Sequence, residues 1–253
     1  MNELECLISD VFILKKSVLL KNFIFSPWFL FCTTLFFISC SPLKKYDAKD
    51  RAWALTEIEA FEKLDETRVY PDDAILFIGS SSIRLWKTLE EDMKPFNVIQ
   101  RGYGGAHFRD MVFFTERILA DHKLSMVVCF VANDISGSSQ DGTPKEVLGL
   151  FKLFVKQVRE KHPTIPILQI AVTPTKSRWK YWDKINQVNK LIKAYCEKKE
   201  NLYFVNTVPA YLDKVGQPKP EWFVSDQLHL NAEGYEVWNG LIKSEIERVK
   251  ALN

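Results

Sequence analysis

A chain of 253 residues, 47% apolar and 26% charged, is long enough to bury a substantial core in one domain with an appendage. Its 34 basic and 32 acidic side chains leave a net charge of +2, which gives no electrostatic case for a nucleic acid partner. The sequence holds no internal repeat, no low-complexity tract and no CxxC or HExxH spacing, so no metal site is suggested.

The N-terminal segment differs from the rest. Lys15, Lys16 and Lys21 precede "NFIFSPWFLFCTTLFFISC", in which residues 23–40 carry no charge, and the polar "SPLKKYDAKDR" follows. A basic stretch, an apolar run and a small residue before a break describe a secretory signal over residues 1–40. "FISC" resembles a bacterial lipoprotein signal, which implies lipidation of Cys40, although Phe37 stands where leucine is more usual. An uncleaved membrane anchor is the alternative, since the run can just span a bilayer. Both place the remainder outside the cytoplasm, tethered to a membrane through its N-terminus. Beyond Cys40 the only cysteines are Cys129 and Cys196, too few for a disulfide framework.

Residues 41–69 read as a linker and an N-terminal helix. Trp53, Leu55, Ile58, Phe61 and Leu64 recur near a 3.6-residue period over residues 47–67. Strands are predicted at 74–79, 97–101, 126–132, 165–173 and 202–206, several apolar on both faces, as in a sheet covered on both sides. Amphipathic helices are predicted between them at 82–92, 107–121, 144–161 and 179–199, with a last one at 232–250. Alternating strand and helix makes an α/β fold with a doubly wound, mostly parallel sheet of about five strands. Ligands collect at the carboxyl ends of such strands, so the loops after them are the place to look.

The first of these loops, "GSSS", is neither GxSxG, because Ile83 replaces the second glycine, nor a P-loop, because GK[ST] is missing. By itself it reads best as a helix cap made by Ser80, Ser81 and Ser82. A serine nucleophile needs a base. His122 and His162 end predicted helices and read as solvent-facing, and His107 is placed to open one. His229 follows Asp226 by three residues in "SDQLHLNAEGY", a spacing that lets a carboxylate hold an imidazole. Alone, that loop reads as merely polar.

Together the loops say more. "ILFIGSSSIRLW", "VIQRGYGGAHFRDM", "ANDIS" and "DQLHLNAEGYEVW" stand in the order and spacing of the SGNH (GDSL-type) hydrolases. The chain resembles in particular the branch related to platelet-activating-factor acetylhydrolase subunits and bacterial acylhydrolases, over roughly residues 70–250. The resemblance implies a flavodoxin-like three-layer α/β/α sandwich over 70–253 and a Ser-His-Asp triad of Ser81, His229 and Asp226. It implies an oxyanion hole from the backbone of Ser81 and Gly105 and the side chain of Asn133. It also implies that no metal or organic cofactor is needed. Two departures stand out: Ser80 replaces the usual aspartate, with the turn role of a capping serine, and Val131 replaces the glycine before Ala132-Asn133.

The activity implied is hydrolysis of small acyl esters, acetyl foremost, on small-molecule or carbohydrate substrates. A catalytically impaired glycan- or lipid-binding module, motivated by Val131, and an O-acyltransferase are the alternatives. No long apolar lid segment is present, which argues against long-chain triglycerides. Trp179 with Trp182, and Trp222 with Phe223, either line the substrate pocket or pack helices on the sheet, and Tyr103 and Arg178 are further candidates to face the cleft.

Overall fold

The computed structural model describes residues 48–252; the expected signal or anchor lies outside the described residues. Among the described residues no helix is long and apolar enough to cross a membrane. Five strands, β1 (Ala74–Gly79), β2 (Val98–Gly102), β3 (Leu124–Phe130), β4 (Ile167–Ile170) and β5 (Leu202–Val205), form one parallel sheet in the order β2-β1-β3-β4-β5. The chain runs from β1 outward to β2, then returns to the other side of β1. Between β1 and β3 the order reverses, and a crevice opens there at the carboxyl ends.

All six residues of β1 are buried, because helices cover both faces of the sheet. Ile75 and Phe77, with Met126, Val128 and Phe130 of β3, share one core with the C-terminal helix. By strand alternation Leu76 and Ile78 face the other side, where helices start at Phe108 and Pro144. There the Phe108 ring meets Phe151 edge-on and also contacts Phe154.

Helix α1 (Leu55–Thr67) follows a 3-10 segment, Ala48–Ala54. Its expected apolar stripe is only partly buried: Ile58 is enclosed, but Trp53, Leu55 and Leu64 remain exposed. What fixes α1 is largely polar. Asp65 pairs with the buried Arg101 at the end of β2, and Arg101 also donates to the Tyr70 hydroxyl at 3.0 Å. His122 joins this cluster, 3.3 Å from Asp65 and edge-on to Tyr70. Burial, partly offset by Asp65, lowers its pKa. His122 is therefore not the solvent-facing helix end that its sequence context suggested. His162 is likewise half-buried.

The helix expected over 82–92 is two single turns, α2 (Ser81–Arg84) and α3 (Leu89–Asp92). Gln100 of β2 explains the break. Its side-chain amide donates to the carbonyls of Ile83 (2.6 Å) and Trp86 (3.0 Å), which a continuous helix would have used internally. The bend lets Trp86 reach full burial against Phe77, Tyr235 and Trp238.

Helices α4 (Phe108–Leu119), α5 (Pro144–Lys161), α6 (Trp182–Cys196) and α7 (Ala232–Lys250) complete the layers, and α5 and α7 match their predicted spans. His107 opens α4 as expected, sharing a capping box with Asp110. Helix α7 buries Trp238, Ile242, Ile246 and Val249 in one stripe. At about 2 kcal/mol for each such side chain, this burial anchors the helix firmly. Cys129 and Cys196 are buried thiols with no disulfide.

Candidate active site

Each loop at the carboxyl end of a strand brings one part of the site. After β1 the chain must turn hard, and Gly79 (φ +151°) permits it: a Cβ there would lie 2.0 Å from the Phe130 carbonyl oxygen. Beyond Gly79, the Ser80 amide donates to that same oxygen at 2.9 Å, so the exit of β1 is stitched to β3. Ser80 sits at the N-cap of α2, but its hydroxyl makes no capping bond, and the expected cap role is not filled. Ser81 opens the turn with its side chain half-buried at the crevice. From α7, the Tyr235 hydroxyl donates to the Ser82 carbonyl at 2.8 Å and holds this turn from behind.

The loop after β5 delivers the acid–base partners. Phe223 and Leu230 form an antiparallel bridge, and the Val224 amide donates to the His229 carbonyl at 2.9 Å, closing residues 224–229 into a tight loop. Asn231 caps α7, accepting from the Gly234 amide at 2.9 Å. Inside the loop the Asp226 carboxylate accepts from the amides of Leu228 (2.8 Å) and His229 (2.9 Å) through Oδ1. Its Oδ2 lies 2.6 Å from His229 Nδ1. Burial alone raises the carboxyl's pKa, but these bonds to the charged form outweigh it and hold the group below its usual value.

The far ring nitrogen, His229 Nε2, lies 2.9 Å from Ser81 Oγ, across 148 residues of sequence. A carboxylate can only accept, so Nδ1 carries the ring proton and Nε2 accepts from the serine hydroxyl. The three residues therefore form one hydroxyl–imidazole–carboxylate chain. Nothing in local periodicity brings them together.

Asn133, after β3, also faces the crevice. Its amide nitrogen donates to the Ala106 carbonyl at 2.9 Å, tying the loop after β3 to the loop after β2. Next to it, Asp134 accepts from the Phe108 amide at 2.9 Å, and burial pushes this carboxyl up to about 6, against the pull of His107 and that amide. Gly105 occupies the left-handed region (φ +75°), with its α-carbon face turned toward the exposed Trp53 ring. It lies next to Ala106 in the same loop, although it is not among the residues that line the crevice.

Val131, which stands where the family resemblance implies a glycine, is buried and lines a small apolar cavity with Ile135, Val147 and Ile185; that cavity shares Ala132 and Val172 with the crevice, but Val131 itself is not among the crevice-lining residues. The crevice itself is lined by Ser81, Phe130, Asn133, Thr173, Arg178 and His229 among others, with about 410 Å³ of free space counted out into solvent. Of the side chains expected at its edge, Arg178 is present. Tyr103 is fully buried and bonds Asp110 at 2.6 Å instead. Trp182 is buried with Trp179 stacked on it, and Phe223 lies in the core with Trp222 packed against it, so neither aromatic pair lines the crevice.

The GDSL-like lipase/acylhydrolase family profile matches residues 79–237, well over half of the chain. The chain belongs to that family. Solved structures with the same fold include a candidate platelet activating factor of Streptococcus pneumoniae (22% identity, TM-score 0.67), which covers 76% of this chain and 94% of its own. A candidate acylhydrolase of Bacteroides fragilis (21%, 0.66) covers 76% and 96%. A GDSL-like lipase of Bacteroides thetaiotaomicron (18%, 0.64) covers 76% and 98%. No curated protein matches the chain. This GDSL-like hydrolase thus has the family's parallel α/β/α sandwich, with its crevice where the strand order reverses.

Proposed function

We propose that this GDSL-like hydrolase cleaves small acyl esters, acetyl foremost, of small-molecule or carbohydrate alcohols, outside the cytoplasm. The observation that carries the reading is the 2.9 Å contact between Ser81 Oγ and His229 Nε2, with Asp226 on the opposite ring nitrogen. Ser81 Oγ attacks the ester carbonyl while His229 Nε2 takes its proton, and Asp226 stabilises the resulting imidazolium. The tetrahedral oxyanion is met by the amide of Ser81 and by Asn133 Nδ2, whose second hydrogen is left over from the bond to Ala106; the Gly105 amide, which the family resemblance adds to this set, would have to reach in from outside the crevice lining. Collapse expels the alcohol with the proton from His229. Water then attacks the acyl-serine, again with His229 as base, and restores the hydroxyl.

The crevice walls supplied by Phe130, Ala132 and Leu230 stand close to Ser81, and this confined space supports a short acyl group. The Thr173 hydroxyl is buried in the crevice wall with no hydrogen-bond partner among the described residues. A panel of p-nitrophenyl esters from acetate to decanoate tests the preference. Acetate should be turned over at least about tenfold faster than decanoate, the scale set by a few misfitted methylenes. Equal rates along the series would remove the small-acyl assignment.

The tether is part of the same proposal. Cys40→Ser should leave the full-length chain unlipidated and unprocessed, read as a shift in mass and a loss of acyl label. An unchanged size and an unchanged membrane fraction would favour the uncleaved anchor.

A further inference from the structure

Resting on that reading, we propose that Arg178 is a positioning residue of the oxyanion hole, which fixes the orientation of the Asn133 amide and polarises it toward the reacting carbonyl. Arg178 lies in the loop after β4, at the crevice wall. One guanidinium nitrogen donates to the Ala132 carbonyl at 2.7 Å and the other to Asn133 Oδ1 at 2.6 Å.

The chemistry of the partners settles which way the amide faces. A guanidinium has only donors, so the atom it meets must be the amide oxygen. The Ala106 carbonyl only accepts, so the atom facing it must be the amide nitrogen. Asn133 is thereby gripped at both ends, with one N–H remaining for the crevice. Rotating the amide by half a turn would set donor against donor and acceptor against acceptor. Without Arg178, the oxygen end loses its charged partner and the flipped state is opposed only by Ala106.

The bond is charge-assisted, and it draws electron density toward Oδ1, which strengthens the opposite N–H as a donor. Arg178 is also largely desolvated. Burial lowers its pKa, only weakly offset by Asp141, and its hydrogen-bond partners are neutral oxygens rather than a carboxylate. Its charge is therefore only partly screened by water and is not cancelled at contact distance, and the side chain it bonds is Asn133. The same guanidinium, through the Ala132 carbonyl, steadies the backbone where Val131 has replaced a glycine.

The test is a double-mutant cycle on the full-length chain, with p-nitrophenyl acetate turnover, fluorophosphonate labelling of Ser81 and thermal unfolding measured for each variant. Arg178→Met should lower kcat by about 10²-fold, the scale of losing one oxyanion donor, with KM changed by less than about threefold. Arg178→Lys, which keeps the charge and one donor, should recover part of the loss. In an Asn133→Ala background, Arg178→Met should cost less than about threefold more, because its target is gone.

Losses that multiply independently in the double mutant, or a rise in KM with kcat unchanged, would overturn the proposal and make Arg178 a substrate contact. Should Arg178→Met not fold, the Arg178→Lys and Arg178→Gln arms of the cycle decide by the same criterion. A wild-type chain that neither turns over ester nor labels at Ser81 would defeat the hydrolase reading itself; an active wild type with an undiminished Arg178→Met variant defeats only the role of Arg178.

Discussion

Ser81→Ala is expected to lower the turnover of p-nitrophenyl acetate by about 10⁴-fold or more, the scale seen when a serine hydrolase loses its nucleophile. The loss is large because the covalent route ends with the hydroxyl. What remains is an oxyanion site and a bound substrate that only water can attack. Stability should barely change. The Ser81 side chain is half-buried at the crevice and its hydrogen bond is to His229, whose ring is still held by Asp226. Removing one such bond costs about 1 kcal/mol. Circular dichroism and the unfolding midpoint should therefore match wild type while fluorophosphonate labelling disappears. Retained turnover in this variant would transfer the nucleophile's role to another group.

Asp226→Asn should be nearly as damaging, for a reason that lies in donors and acceptors rather than in size. Oδ1 accepts from two backbone amides, so an asparagine must keep its oxygen there. Its NH₂ then occupies the Oδ2 position, facing His229 Nδ1. Two donors cannot face each other, so the ring shifts its proton to Nε2. That nitrogen now points an N–H at Ser81 Oγ and cannot take the hydroxyl proton. A fall in kcat of about 10⁴-fold is expected, as in the corresponding wrong-tautomer variant of serine proteases. Asp226→Ala, which leaves Nδ1 unopposed, should lose somewhat less. If Asp226→Asn kept more than a tenth of wild-type kcat, Asp226 would be a loop former and not an orienting group.

Acid should act on the same residue with a definite sign. Hydrogen bonding holds the folded-state Asp226 carboxyl below its usual value. The stability this supplies is therefore present above the unfolded-state value and is lost as pH falls through the depressed one. Over the mildly acidic to neutral range the carboxylate stays ionised and the loop stays closed, so the unfolding midpoint should hold there and fall only in stronger acid.

Much of the framework was legible because strand and helix periods are local. The apolar stripe of 232–250 and the amphipathic pattern of 144–161 each specify a helix within one segment, and both spans hold. The unbroken apolar run of 74–79 likewise marks a strand buried on both faces. The expected helix over 82–92 failed because its break depends on Gln100, a side chain from a neighbouring strand. His122 read as exposed for a similar reason: Asp65 and Tyr70, which cover it, are more than fifty residues away in the chain. The tryptophans stayed ambiguous between pocket and packing because an aromatic side chain has the same composition signature whether it lines a crevice or packs a helix.

The succession of strands and helices, the loops in which chemistry had to lie and the family whose spacing those loops share were all readable from residue order. That Ser81 Oγ meets His229 Nε2, that Val131 lies outside the crevice lining and that Arg178 grips Asn133 emerged only on folding. The physical reason is range. Periodicity and capping are set by neighbours within a turn or two, whereas a hydrogen bond between residues 148 positions apart exists only after the sheet has brought its strand ends to a common edge.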